Sequence, residues 1–284
     1  MEMTNTGNWP LVTIGMPIRN GMPMLTESIR AVLAQDYPNL EIIVSDNGST
    51  DATPTILADL AINDSRVRVT RQASSLTALD NFHWVLKHAQ GDFFLWAAHD
   101  DLRGPDYVSR LVAHLRMHPN AALAFGELRV SSTFGAGYDL KPFVYETTGL
   151  SPVARVRNAA HRQCYHIYGV WRTTVLQKIP FIFNPWWPDL PLMISAAYCG
   201  EYHRVPDVKF DYLELPKTNL QRAQYQDNSA GFNRVARTIK LFVVTYRTML
   251  PVGGIWLAVC ATAFVIEKQF HVVWGLLTGR IQRD

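Results

Sequence analysis

The sequence predicts an α/β fold with a mostly parallel sheet, and two observations carry this prediction. Short apolar segments alternate with segments of helical spacing through the first half of the chain, which is typical of strands joined by crossover helices. The apolar run at 93–98 is continuous rather than alternating, as expected for a strand covered on both faces. With 284 residues and 48% hydrophobic content, the chain has enough apolar surface for one large or two modest domains.

Four strands are expected in the first half. The segment 11–17 is apolar, contains β-branched residues and ends in Pro17, and the segments 40–46, 67–71 and 93–98 have a similar character. The sequence Asn-Gly-Ser-Thr follows the second of these segments and is typical of a turn.

Helices are expected between these strands. Leu25, Ile29 and Val32 recur at helical spacing after Pro23, a residue with which a helix can begin. The segment 55–61, TILADLA, indicates a second helix. A third helix is indicated by the spacing of Leu79, Phe82 and Leu86.

Composition excludes several classes of protein. Charged residues make up 18% of the chain, the net charge is only +3, and no long Lys/Arg tract is present, so we expect no nucleic-acid partner. The three cysteines are far apart and match neither a disulfide framework nor a zinc motif, which favours a reducing compartment. The N-terminus has no basic segment followed by an apolar core, so no export signal is expected.

Polar residues follow the predicted strands at the points where the strands end. Asp46 follows the second strand, Asp100 and Asp101 follow the fourth, and Pro17 and Arg19 follow the first. Ligands of open α/β sheets bind beyond the carboxyl ends of the strands. Three carboxylates at one edge would repel one another unless a divalent cation such as Mg²⁺, Mn²⁺ or Ca²⁺ joined them. The pattern therefore predicts a binding site for a metal–diphosphate group at this edge. The alternative is that Asp100 and Asp101 only cap the helix that follows.

The segment 12–57 resembles the opening of the inverting family-2 glycosyltransferases with the GT-A fold. Their pattern is an apolar strand, Pro, an Asn-bearing loop, a helix ending Gln-x-Tyr-Pro, and a strand ending Asp-[Asn/Asp]-Gly-Ser-Thr-Asp. The segment 89–101, AQGDFFLWAAHDD, resembles the part of that family that carries its metal-binding DxD-type motif. The resemblance is strong over about 11–110, moderate to about 211, and absent from the last fifty or so residues. The matching residues are Pro17, Asn20, Gln35, Tyr37, Pro38, Asp46, Gly48, Ser49, Thr50 and Asp51.

The resemblance implies roles for residues of the first half. It implies a GT-A fold and a Mn²⁺ or Mg²⁺ cofactor, with Asp101 as the metal ligand that bridges to the diphosphate and Asp100 near the ribose or the metal. The motif reads Ala98-His99-Asp100-Asp101 rather than Asp-x-Asp, which leaves open which Asp contacts the metal and whether His99 does. Residues expected to contact the donor nucleotide are Pro17, Arg19, Asp46, Arg71 and Asp100.

In the second half, the resemblance implies an Asp or Glu as catalytic base at the start of a helix. Asp189 precedes helical spacing and fits this position, with a helix cap as the alternative. Trp186 and Trp187 lie just before it and could stack on a sugar acceptor, although tryptophans are as often core residues. Tyr168 begins YGVWR, which resembles a segment near the acceptor site, but plain core packing is the stronger interpretation of that segment.

The C-terminal part has a different character. The segment 250–266 carries no charge but is somewhat short for a membrane-spanning helix, which needs about twenty apolar residues. Basic residues flank it, and Trp256 and Trp274 lie within and after it. This favours a helix or hairpin on an anionic membrane surface; a short span and a buried helix pair are the alternatives. The predicted organisation is a GT-A domain at 1–233, with a nucleotide-sugar half (about 1–110) and an acceptor half (about 111–233), and a helical, membrane-associating segment at 234–284.

Together these features predict an inverting glycosyltransferase that moves a sugar from a nucleotide-diphosphate donor to a hydroxyl of a glycan or lipid-linked acceptor. Asp46 would accept the ring N–H of uracil or thymine, which favours UDP or dTDP; guanine also has this group, so GDP stays open. We expect a role in surface polysaccharide biosynthesis on the cytoplasmic side of the cell membrane, with peripheral attachment. The alternatives are a non-catalytic nucleotide/sugar-binding module and a nucleotidyltransferase; the absence of G-x-G-x-x-G and of a P-loop argues against dinucleotide and Walker-type sites.

Overall fold

A computed structural model describes residues 9–132, 139–140, 146–161, 164–182, 189–214 and 231–277, with side chains of the last helix described over 239–268. The strands are β1 (Val12–Ile18), β2 (Leu40–Asp46), β3 (Val67–Arg71), β4 (Phe93–Trp96), β5 (Leu102–Arg103), β6 (Ala121–Ser131), β7 (Asp139–Leu140), β8 (Val170–Arg172) and β9 (Glu201–Leu213). The helices are α1 (Leu25–Leu33), α2 (Thr53–Asn63), α3 (Ala78–Lys87), α4 (Tyr107–Met117), α5 (Pro152–Ala160), α6 (Thr173–Leu176), α7 (Asp189–Cys199) and α8 (Gly231–Leu277), with a 3₁₀ turn at Tyr165–Tyr168.

The strands form one sheet in the order β3-β2-β1-β4-β8-β6-β9-β5, with β7 on β6. The first four strands are parallel, as predicted. In the second half, β8 is antiparallel to both β4 and β6, whereas β6 and β9 are parallel. The strand order reverses between β1 and β4, and the carboxyl ends of these two strands therefore mark a ligand-binding crevice.

The sheet is covered on both faces, which explains the continuous apolar runs. All seven positions of β1 are buried, and so is every position of β4. Along β4, Phe94 and Trp96 belong to the core on one face, whereas Phe93 and Leu95 belong to the core on the other. This alternation follows from the two-residue period of a strand.

The segment YGVWR contributes to the core through its tryptophan. Trp171 on β8 is fully buried, and its ring packs edge-on against Tyr202 with centroids 5.6 Å apart. The interpretation of this segment as core packing is thus confirmed for Trp171.

Helix α8 packs one face on α5 and α7 and leaves the other uncovered by described residues. The helix contains Pro251 and is broken at Gly254, whose φ of 73° is one that side-chain-bearing residues rarely adopt. Within the described residues, Ile239–Lys268 is long and apolar enough to cross a membrane by length and composition alone. The helical prediction for this region is confirmed, while the domain boundaries and contact with a membrane stay predictions.

Candidate active site

A cavity of about 320 Å³ opens at the carboxyl ends of β1 and β4. This is the edge that the polar residues after the strands predict. Its walls combine an apolar surface with the Arg19 guanidinium, the Asp100 carboxylate and the His99 imidazole. The lining residues are Pro17, Ile18, Arg19, Asn47, Leu76, Ala78, Asn81, Phe82, Ala98, His99, Asp100 and Tyr168.

The two loops that follow β1 and β2 are tied together by hydrogen bonds. The Asn20 backbone N–H donates to Ser49 Oγ at 2.8 Å, and Asn20 Oδ1 accepts from the Thr50 N–H at 2.8 Å. Gly48 lies in the loop after β2 and has a φ of 69°, in the left-handed region that favours glycine. These bonds fix the loop after β2 against the loop after β1, and the neighbouring residues Arg19 and Asn47 line the cavity.

Asp46 and Arg71 contact the loop after β2 and do not line the cavity. Asp46 is 1% exposed; one carboxylate oxygen accepts from the Ser49 N–H at 2.9 Å and the other from Arg71 at 3.1 Å. Arg71 also donates to the Ser49 carbonyl at 3.0 Å. In this arrangement the pair supports the loop after β2, and direct contact of either residue with a nucleotide stays a prediction.

Asn47 and Asn81 line the cavity and were not singled out from the sequence. Asn47 Nδ2 donates to the Leu76 carbonyl at 3.0 Å, and its Oδ1 accepts from the Leu76 N–H at 2.7 Å. Asn81 accepts from Ser45 Oγ at 2.5 Å and donates to the Ser45 carbonyl at 3.2 Å. Both side chains hold the wall in place. Asn47 belongs to the Asp-[Asn/Asp]-Gly-Ser-Thr-Asp pattern and could have been identified from it. Asn81 lies within α3 and belongs to no motif in the sequence.

The two adjacent aspartates have different environments. Asp100 is half-buried and faces the cavity, as do His99 and the exposed Arg19. Asp101 is 0% exposed, and burial raises its pKa to about 8 although the Arg103 guanidinium opposes the shift. Asp100 lines the cavity whereas Asp101 does not, and on this geometry Asp100 is favoured over Asp101 as the cation ligand.

Arg103 is itself held in the core beneath the cavity. It donates to the Trp96 carbonyl at 3.0 Å, and its guanidinium carbon lies 5.0 Å from the centroid of the Phe210 ring. Its charge is thus placed beside Asp101 rather than beside the cavity.

The side chains at this edge fit a divalent cation. Asp100 offers a carboxylate oxygen and His99 an imidazole nitrogen, while Ala98 stands where the resembling family has a further carboxylate. Mg²⁺ is commonly held by one or two carboxylates together with phosphate oxygens and water. One carboxylate facing an open cavity is therefore compatible with a cation whose remaining ligands are not protein side chains.

Tyr168 lines the same cavity, at the side of the second half of the chain. Burial raises the pKa of Tyr168 well above its ordinary value, with further contributions from the negative charges of Asp101 and Asp189. The phenol therefore stays neutral.

Asp189 is the first residue of α7 and lies in a separate pocket of about 10 Å³, which also includes Leu79 and Thr248. Leu79 belongs to α3, and the neighbouring Ala78 lines the larger cavity, so the two pockets border the same helix. Burial raises the pKa of Asp189 to about 6. The carboxyl is thus mostly ionised at pH 7 yet close to its titration range. Trp186 and Trp187 lie outside the described residues.

The family model described as "Glycosyl transferase family 2" matches residues 13–157. An uncharacterized glycosyltransferase of Rickettsia typhi is 35% identical over 103 residues, which cover 36% of this chain and 31% of that protein. The putative glycosyltransferase EpsE of Bacillus subtilis is 32% identical over 139 residues, covering 48% of this chain and 50% of that protein. These matches thus span half or less of each relative.

Solved structures extend the likeness beyond the first half. S. aureus TarS 1–349 in complex with UDP-GlcNAc has a TM-score of 0.67 at 16% identity, covering 92% of this chain and 73% of that chain. The mannosyltransferase PcManGT of Pyrobaculum calidifontis, in complex with GDP-Man and Mn²⁺, has a TM-score of 0.57 at 17% identity, covering 96% and 80%. At these identities the likeness establishes the fold, which confirms the predicted GT-A class.

Proposed function

Because the chain belongs to glycosyl transferase family 2, we propose that it transfers a sugar, with inversion, from a nucleotide-diphosphate donor to an acceptor hydroxyl. The observation that carries this proposal is the cavity at the strand-order reversal, where Arg19 and Asp100 lie on one wall. The Arg19 guanidinium and the Asp100 carboxylate beside an apolar wall are suited to a ligand that combines a diphosphate with a base and a sugar.

The nucleoside is proposed to lie against the wall formed by Pro17, Asn47, Leu76 and Phe82. UDP and dTDP are the favoured donors, and GDP stays open. The fold neighbours support this range, since one was solved with UDP-GlcNAc and another with GDP-Man. Asp46 would act by holding the loop that carries Asn47, in addition to any direct contact with the base.

A Mn²⁺ or Mg²⁺ ion is proposed as the cofactor, with Asp100 as its protein ligand in place of the predicted Asp101. When bound, such an ion stabilises the negative charge of the leaving diphosphate as a Lewis acid. Arg19 contributes a second positive charge on the same wall and orients the phosphates. PcManGT, which was solved with Mn²⁺, supports the choice of ion.

Asp189 is proposed as the base that takes the proton of the acceptor hydroxyl. A general base works best when its pKa lies near the working pH, and burial brings the Asp189 pKa to about 6. Tyr168, which lines the cavity, is proposed to contact the acceptor or the donor sugar. Trp186 and Trp187 stay proposed acceptor contacts.

The acceptor is proposed to be a glycan, either free or linked to lipid, in surface polysaccharide biosynthesis at the inner face of the cell membrane. The support is the uncovered face of α8, where Ile255 and Trp256 are each 69% exposed. Apolar side chains beside a basic segment favour peripheral attachment to an anionic membrane.

Sedimentation with phosphatidylglycerol vesicles tests this attachment. The double change Ile255→Ser and Trp256→Ser should reduce binding, whereas Ile62→Ser, which alters a residue 82% exposed on α2, should not. Equal sedimentation of both variants would remove the membrane from the proposal.

The donor proposal is tested by measuring nucleotide-diphosphate release from UDP-, dTDP- and GDP-sugars with Mn²⁺ and a hydroxyl acceptor. Sugar transfer with release of the nucleoside diphosphate is the expected result. Binding without transfer would identify a non-catalytic module, an alternative that Ala98 in the DxD-type motif favours. Formation of a nucleotide sugar from a sugar phosphate and a nucleoside triphosphate would identify a nucleotidyltransferase.

A further inference from the structure

Three histidines meet at the edge of the sheet opposite the cavity. His114 lies near the end of α4, and His118 directly follows that helix. His203 is the third residue of β9. One ligand nitrogen from each lies within 4.8 Å of the others. Because β9 runs parallel to β6, and β6 parallel to β4 through the two antiparallel pairings of β8, the start of β9 lies away from the carboxyl ends that form the cavity.

Hydrogen bonds with partners that can only accept decide where two of the ring protons lie. His203 Nε2 lies 2.9 Å from Glu201 Oε2, so this nitrogen carries the proton and Nδ1 of the neutral ring has the lone pair. His118 Nδ1 lies 2.8 Å from the His114 carbonyl oxygen, so its Nε2 has the lone pair. Two lone pairs are thus fixed before any ion binds.

The third ring completes the set. His114 Nε2 lies 2.9 Å from His203 Nδ1 and donates its proton to that lone pair. The rings of His114 and His118 are stacked with centroids 4.1 Å apart, which places their edges side by side. If the proton of His114 moves from Nε2 to Nδ1, the ring stays neutral and a third lone pair turns toward the other two.

We propose that His114, His118 and His203 bind one zinc ion through His114 Nε2, His118 Nε2 and His203 Nδ1. Imidazole nitrogens are preferred zinc ligands, with bonds of about 2.0–2.1 Å, so small ring rotations would bring the three nitrogens around one ion. Forming these bonds releases no net proton, because the His114 proton is retained on its other nitrogen. The half-buried His114 and His118 leave the fourth position to solvent.

Glu201 supplies the supporting contact that zinc-binding histidines usually have. Its Oε2 holds the His203 N–H at 2.9 Å, while its Oε1 accepts from the Gly149 N–H at 3.1 Å. A carboxylate in this position fixes the ring orientation and makes the ligand nitrogen more basic. The ion would thereby join α4, β9 and the segment before α5, on an edge that takes no part in the proposed transfer.

The experiment uses tag-free protein, freed of metal with EDTA and then titrated with Zn²⁺ by calorimetry and with Co²⁺ by visible absorption. Wild-type protein should bind one equivalent at this site and melt at a higher temperature with Zn²⁺, because a ligand of the native state stabilises it. His118→Gln should lose this binding, and Glu201→Gln should weaken it by about 10–100-fold, the usual effect of removing a supporting contact. His88→Gln, which alters an exposed histidine outside the cluster, is the matched control and should bind as wild type.

The variant Asp100→Asn distinguishes zinc bound at the histidines from a cation bound at the cavity. This variant should still bind one equivalent of zinc. Melting curves in EDTA establish that each variant is folded before its affinity is compared. Zinc binding that is equal in wild type, His118→Gln and Glu201→Gln, or that is lost in Asp100→Asn alone, would overturn the proposal. So would wild-type protein that binds neither ion at the histidines.

Discussion

The two edges of the sheet differ in the kind of chemistry that they can support. The carboxyl-end edge surrounds a cavity of about 320 Å³ with Arg19, His99 and Asp100 spaced around open volume. At the opposite edge, His114, His118 and His203 pack against one another. An oxygen-ligated cation at the first edge would come and go with its nucleotide, whereas nitrogen ligands at the second would hold a resident ion. We call the first the open edge, because it surrounds a cavity, and the second the closed edge, because its histidines pack against one another.

The largest expected effect concerns Asp189, whose pocket borders the same helix, α3, as the cavity of the open edge. Asp189→Asn removes the proposed base while preserving shape, and we expect transfer to fall by about 100-fold to 10,000-fold, the usual contribution of a positioned base. Nucleotide and zinc affinity should be unchanged. Single-turnover rates measured beside thermal melting check this. If Asp189 only stabilised the start of α7, Asn would replace it well and the rate would stay near that of wild type.

The next effect separates the two adjacent aspartates. Asp100→Asn should weaken Mn²⁺-dependent binding of UDP by about 10–100-fold. The loss of a residue that only supports a metal ligand typically costs this much, so the loss of the ligand itself should cost at least as much. Asp101→Asn should change it little, because the Asp101 side chain is buried and does not line the cavity.

Calorimetry of UDP with and without Mn²⁺ measures both variants. The reverse order of effects would restore Asp101 as the ligand and would require the loop after β4 to rearrange when the nucleotide binds. Zinc affinity serves as the internal control, since neither change touches the histidine edge.

A smaller effect is expected from pH. Asp189 acts as a base only when ionised, and burial places its pKa at about 6. Transfer should therefore fall by about tenfold for each unit below pH 6, because the ionised fraction falls by that factor. The dependence is checked by single-turnover rates between pH 5 and pH 8 at saturating donor and metal. A rate that does not change through pH 6 would show that another group takes the proton.

The open edge was largely predictable because its residues lie in short contiguous segments. The strand ends placed Pro17, Arg19 and Asp100 at one edge, and the structure brings all three to the cavity. Which of two neighbouring aspartates would face the cavity was not predictable, because β4 ends at Trp96 and the irregular loop beyond it decides the directions of the side chains.

The closed edge was not predictable for a different reason. His114 lies on α4 and His118, four residues later, directly follows that helix, a spacing that often occurs by chance. His203 joins them only through the pairing of β6 with β9. The parallel register of those strands depends on contacts between distant parts of the chain. Local patterns carry no information about it, so the cluster appears only in the folded structure.

The smallest expected effect tests how the wall of the open edge is held. Asn47→Ala removes the two hydrogen bonds to the Leu76 backbone, each worth about 0.5–1.5 kcal/mol. We expect UDP affinity to fall by about tenfold, since a factor of ten corresponds to about 1.4 kcal/mol. Asn47→Asp should have an intermediate effect, because Asp still accepts from the Leu76 N–H but no longer donates to the Leu76 carbonyl. Calorimetry at constant Mn²⁺ provides the measurement, with zinc affinity again as the control. An unchanged affinity in Asn47→Ala would mean that the remaining contacts of the loop are sufficient to hold it in place.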